Sequence, residues 1–207
     1  IDGQSRMINA DQVVICGGAY GSPLVLLRSG LGPADELRGH GIDIVADLPG
    51  VGRNLQDHPA SRVVYEGTPE LNAIMNEYVA QGGLLREEGT TVLAKSGRCQ
   101  TAFDLHLYPL GHRNPDGSWL YAIYTAVMDP MSTGSVRFSG TDPEALPVID
   151  HGYFTDPDDA DLDVLLDGLK IARELGARNP LADLAGREIE PLLTGGQLRA
   201  WVRQNST

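Results

Sequence analysis

The residues best suited to chemistry in this sequence are Gly17-Gly18-Ala19, standing where a β-branched run, Asp11 to Cys16, gives way to Ser22-Pro23. Residues without bulk let a backbone approach a ligand closely, and a strand-to-helix turn of this kind suits a dinucleotide. Side-chain chemistry is scarcer. His106 and His112 are six residues apart with no third ligand nearby, which argues against a metal site. Neither Ser22 nor Ser29 sits in a Gly-x-Ser-x-Gly frame, so no hydrolase nucleophile is offered. Asp158, Asp159, Asp161 and Asp163 lack the spacing and distal Glu of a calcium loop and read as a solvated helix start. His40 and His151 read as surface or turn residues. Gly30-Leu31-Gly32 and Gly50-Val51-Gly52 each begin like a dinucleotide fingerprint but lack its third glycine, so both are read as turns. No catalytic residue and no metal ligand is assigned.

Gly18-Ala19-Tyr20-Gly21-Ser22-Pro23, continued by Ser29-Gly30-Leu31-Gly32, resembles the second signature of the glucose-methanol-choline family of flavin-dependent alcohol oxidoreductases. Leu48-Pro49-Gly50-Val51-Gly52-Arg53-Asn54-Leu55-Gln56-Asp57-His58-Pro59 follows at the family's spacing. Asp129 to Arg137, Asp142-Pro143 and Tyr153 to Asp156 are similar to family segments as well, leaving a divergent middle from about Tyr65 to Trp119. The resemblance implies FAD as cofactor and a small-molecule alcohol as substrate. It also implies a histidine base, because neutral imidazole is poised near pH 7 to take a hydroxyl proton. Cofactor-binding roles carry over to Gly17, Gly18, Ala19, Ser22, Asp57 and His58, the last as a hydrogen-bonding residue near the flavin rather than as the base. The family's FAD fingerprint and its His-Pro-x-Gly-Thr stretch would lie before Ile1 and beyond Thr207. This chain alone is therefore expected to be inactive, to bind no FAD, and to self-associate through exposed apolar surface. The alternatives are a hydroxynitrile lyase of the same family and a non-catalytic binding module.

The elements that must position these residues follow from local pattern. Ile1 to Ser5 reads as turn-like strand ends, and Asp11 to Cys16 as a buried strand. Ser22 stands as a helix N-cap with Pro23 at the first helical position. A short helix is expected over Pro33 to Arg38, closed by Gly39 or Gly41, then a strand over Ile42 to Val45. Arg62 to Tyr65 reads as a strand, Pro69 to Arg86 as helical and Glu87 to Gln100 as a polar loop. Ala102 to Leu110 and Trp119 to Met128 form a long-looped hairpin, with Gly134 to Phe138 continuing the meander. The longest helix opens at Asp156 to Asp159 and carries the stripe Leu162, Leu165, Leu166, Leu169, Ala172 and Leu175. Thr194 and Gln197 resemble a capping box before Leu198, Trp201 and Val202 of a last helix.

The fold class implied is α+β: the remnant of a Rossmann-like FAD-binding domain over residues 1–59, and an antiparallel-sheet substrate-binding domain with flanking helices over residues 60–207. A chain of 207 residues is long enough to bury a sizeable core. Its net charge of -12, with 28 acidic and 16 basic residues, argues against nucleic acid or an anionic membrane as partner. Two cysteines, Cys16 and Cys99, with no membrane-length apolar run, point to a reducing, cytoplasmic setting.

Overall fold

A computed structural model describes residues 7–85, 89–142 and 144–206. The strand ends read at Ile1 to Ser5 lie outside these described residues, as do Arg86, Glu87, Pro143 and Thr207. The first elements in chain order are α1 (Gly18–Arg28), β1 (Leu31–Gly32), α2 (Ala34–Gly39), β2 (Ala46–Asp47), β3 (Arg53–Leu55), β4 (Ala60–Gly67), α3 (Pro69–Ala80) and β5 (Val92–Ala94). They are followed by β6 (Leu105–Arg113), β7 (Trp119–Val127), β8 (Gly134–Arg137), β9 (Val148–Asp150), α4 (Ala160–Gly176), α5 (Leu181–Leu184), β10 (Ala185–Glu190) and α6 (Gly195–Asn205). The chain divides into two compact units. One joins the chain up to Leu55 with Gly134–His151; the other joins Gln56–Thr133 with the chain from Gly152 onward. A single boundary after residue 59 therefore gives way to a discontinuous division, because Gly134–His151 pairs with β3 and not with the meander.

In the first unit, β3, β8 and β9 form a three-stranded antiparallel sheet, and α1 packs on it through Leu24 and Leu27 against Leu37, Leu55, Val136 and Phe138. Gly52 shows why the second glycine of its pair is glycine: its φ is +75°, and a Cβ there would lie 2.3 Å from the carbonyl oxygen of Val136. The strand expected at Ile42 to Val45 lies instead at Ala46–Asp47, where β2 pairs in parallel with β1. Asp11 to Cys16 is not a strand. It is irregular chain with Val13 at 78% and Val14 at 75% exposure, and Cys16 is exposed with it. A strand exists only through a hydrogen-bonded neighbour, and among the described residues none lies beside this run.

The second unit is built on a five-stranded antiparallel sheet ordered β10-β4-β7-β6-β5. Alternation sends Val63, Tyr65, Leu105, Leu107, Ile123 and Val127 to one face, where Leu162, Leu165, Leu169 and Ala172 of α4 and Leu198 and Val202 of α6 cover them. Thr125 points the same way and is fully buried, with its hydroxyl unpartnered. An isosteric Thr125→Val should therefore stabilise the protein by about 1 kcal/mol, seen as a higher urea midpoint at unchanged slope. On the other face the register aligns Arg62, Tyr124 and Tyr108. The two tyrosine rings stack at 5.2 Å, and His112 Nε2 lies 3.1 Å from the Tyr124 hydroxyl. His106 and His112 stand on one strand, roughly 20 Å apart at 3.3 Å per residue, too far to share an ion.

Several local expectations shift. The hairpin strands run on to Arg113, so the loop is only Asn114 to Ser118, closed by Asn114 N–H to the Ser118 carbonyl at 2.8 Å. The stretch read as a polar loop contains the edge strand β5, which pairs with β6. The helix expected to Arg86 ends at Ala80, and its start uses Thr68 as cap, accepting from Leu71 N–H, with Pro69 at the first position. Thr194 does precede the last helix, but its side chain makes no capping bond.

Of the four aspartates read as a solvated helix start, Asp158 is exposed, whereas Asp159, Asp161 and Asp163 are engaged by other groups. Asp161 is 2% exposed and accepts from the N–H groups of Met131 and Ser132 at 2.8 Å each. Asp156 accepts from the Ser132 hydroxyl, and Asp167 from Gly97 N–H. Asp159 pairs with Arg203 and Arg199, and Asp163 with Arg199 and Arg98. The Arg203 hydrogen bond, then that of Arg199, holds the Asp159 carboxyl below its ordinary value of 3.8; Arg199 does the same for Asp163. A depressed folded-state pKa gives stabilisation that is complete above the ordinary carboxylate value and lost as pH falls through and below it. Exposed pairs contribute little individually, and Leu198 and Val202 still anchor α6. Below about pH 4 the expected result is loosening of α6 alone, measured as faster hydrogen exchange at its amides, with added salt acting the same way at neutral pH.

Candidate cofactor-facing turn

The turn that the sequence marks is the exposed start of α1. The helix begins at Gly18, four residues before the Ser22 cap expected, so Pro23 falls inside it. The earlier start follows from two bonds: Gly21 N–H donates to the Gly17 carbonyl at 3.1 Å, and Gly17 N–H donates to Ser22 Oγ at 3.0 Å. Ser22 thus latches the turn from within rather than capping the helix from outside. Pro23 removes one intrahelical bond, a cost set against the packing of Leu24 and Leu27 one turn on.

The glycines serve different ends. A Cβ on Gly17 would lie 2.9 Å from Gly21 C and Ser22 N, so its bareness is demanded by the turn itself. Gly18, at φ +72°, and Gly21 would meet nothing within 4 Å; their missing side chains leave backbone open to whatever approaches. Gly17, Gly18, Ala19 and Tyr20 are all exposed, no side chain caps the helix, and no acidic residue stands in its first turn. The free N–H groups and partial positive charge of such a helix start favour an anionic or hydrogen-bond-accepting ligand. The local geometry therefore fits close approach by a dinucleotide such as FAD.

Of the remaining sequence-marked residues, Asp57 and His58 lie in the second unit, between β3 and β4. Both are exposed, and the bond found between them is His58 N–H to Asp57 Oδ1 at 2.9 Å. Sequence reading missed Tyr20 and placed His151 as a surface or turn residue. In the first unit the Tyr20 hydroxyl lies 3.0 Å from His151 Nε2, with the rings edge to face at 6.3 Å. A contact across 131 positions has no local signature. Among the described residues no cluster of His, Cys, Asp or Glu could hold a metal ion, and no helix is long and apolar enough to cross a membrane.

Comparison with known proteins places this turn in context. Two family models described as GMC oxidoreductase match residues 2–60 and 130–206, the first containing the whole glycine turn. Choline oxidase of Arthrobacter globiformis is 31% identical over 96% of this chain and 37% of its own length. The chloroplastic fatty acid photodecarboxylase of Chlamydomonas reinhardtii is 31% identical over 87% of the chain and 36% of its own length. Pyridoxine 4-oxidase from Mesorbium loti superposes with a TM-score of 0.71 at 24% identity, over 92% of this chain and 37% of that one, a likeness of fold. The chain thus spans well under half the length of these proteins. With two models of one family covering both its ends, the chain belongs to the glucose-methanol-choline (GMC) oxidoreductase family.

Proposed function

We propose that the whole protein is an FAD-dependent oxidoreductase that oxidises the CH–OH group of a small-molecule alcohol, and that this chain supplies one wall of the flavin site. The observation that carries the reading is the bare backbone at Gly18 and Gly21, where an added Cβ would meet nothing within 4 Å, inside the stretch that the N-terminal family model matches. When bound, FAD supplies a two-electron acceptor for the alcohol's hydride. The residues here act by shape and polarity: Gly18 and Gly21 clear the approach, the first-turn N–H groups of α1 donate, and Ser22 Oγ holds the turn closed. No residue of this chain is assigned as the base.

The test is the full reading frame, expressed with its flanking coding sequence. The purified protein should carry visible flavin absorption that bleaches anaerobically when a panel of primary alcohols, choline among them, is added. Bound flavin that no alcohol bleaches, or cyanide release from a cyanohydrin without bleaching, would overturn the reaction assigned. The 207-residue chain alone should be colourless, since a cofactor of this size must bury most of its surface and Gly17 to Tyr20 offer one exposed face.

A further inference from the structure

Within the first turn of α1 the restraints are the Gly21 N–H to Gly17 carbonyl bond and the Ser22 Oγ latch on Gly17 N–H. Gly17, Gly18 and Gly21 carry no side chains, Ala19 carries a methyl, and the helix has no capping side chain. Glycine backbone is the most costly to order, so a turn built this way needs restraint from elsewhere. The one long side chain on it is Tyr20, which is 39% exposed. Its hydroxyl lies 3.0 Å from His151 Nε2, and its ring meets the imidazole edge to face, at an interplanar angle of 79°. His151 directly follows β9, whose Asp150 is paired with Ser135 of β8. Its main chain packs against the bare Cα of Gly134, where even a methyl would stand 2.5 Å from His151 C. The histidine is therefore set on a paired sheet, while the tyrosine is set on the glycine-rich turn.

We propose that His151 is a positioning residue for cofactor binding: acting through Tyr20, it holds the glycine turn in the geometry that receives FAD. The inference rests on the flavin reading above. Tyr20 lies two positions beyond Gly18, so loss of its anchor frees the backbone that must meet the ligand. Neither residue takes part in the oxidation itself.

The experiment uses the full-length protein stripped of flavin and titrated with FAD, followed by flavin fluorescence. Tyr20→Phe and His151→Ala should each raise the FAD dissociation constant by about three- to ten-fold, the worth of one net hydrogen bond. The double variant should be no worse than either single, since both remove the same interaction. His151→Gln, which keeps a polar group near the phenol, should recover part of the loss. FAD affinity within about two-fold of the unchanged protein in both single variants would overturn the proposal. So would losses that multiply in the double variant, or a lowered melting temperature with FAD affinity unaltered. If the unchanged full-length protein binds no FAD, the flavin reading fails and this one with it. If it binds FAD and Tyr20→Phe binds equally well, only the positioning role fails.

Discussion

Replacing Asp161 with alanine should cost about 3–5 kcal/mol, enough to bring a domain of ordinary stability close to unfolding. The carboxylate is 2% exposed, and both its oxygens are taken, one by Met131 N–H and one by Ser132 N–H, at 2.8 Å each. Alanine leaves two backbone donors without acceptors where water does not readily reach them, and hydrogen bonds to a charged acceptor are each worth about 1.5–3 kcal/mol. Asparagine should rescue only in part, because its Oδ1 serves one N–H while its NH₂ group faces the other. Urea denaturation of the three proteins measures the order Asp161, Asn, Ala. An alanine variant within about 1 kcal/mol of the parent would show that segment 131–132 finds other partners.

In the first unit, Gly134→Ala should have a comparable effect, about 3 kcal/mol, for a steric reason. Gly134 opens β8 opposite Leu55, and a Cβ there would stand 1.9 Å from the Asp150 carbonyl oxygen. The obstacle is main chain of a paired strand, so relief needs backbone movement rather than a new rotamer, which places the cost at the upper end of overpacking penalties. Gly140→Ala provides the control, since its Cβ would meet nothing within 4 Å and should be nearly neutral. Hydrogen exchange at Ser135 to Arg137 distinguishes the two: it should accelerate strongly in the first variant and stay unchanged in the second.

Much of the layout was legible because its signals are local. The leucine stripe of the longest helix reports its periodicity directly. The alternation Phe103, Leu105, Leu107 against Asp104, His106, Tyr108 holds only from Leu105 onward, because the strand starts there, Phe103 is exposed and Asp104 is buried on Ser96. The glycine stretch was legible as the approach to a helix, but it forms the first turn of α1 itself rather than a turn leading from a strand to an N-cap at Ser22. What failed depended on partners. Asp11 to Cys16 has the composition of a buried strand, yet a strand cannot form without a neighbour, and none is present among the described residues. Asp161 looked like its acidic neighbours; only the fold turns it inward to serve two distant N–H groups. The three-residue β5 is too short to show a period, and Ser22 kept its polar role but spent it on Gly17. Tyr20 and His151 meet only because β9 returns to α1 after most of the second unit's first half has been made.

That return has a consequence for how this protein can be cut and recombined. Because β3 is completed by β8 and β9, each unit is interrupted by a piece of the other. Neither is a cassette that a single crossover could carry to a new host; a recombination between Leu55 and Gly134 would deliver one finished unit to neither product. During synthesis β3 must likewise wait, unpaired, through the whole excursion to Gly134, and only then does the loop-closure entropy of that long span become payable. Inherited change in this architecture is thereby steered toward substitution inside the excursion and away from exchange of whole modules.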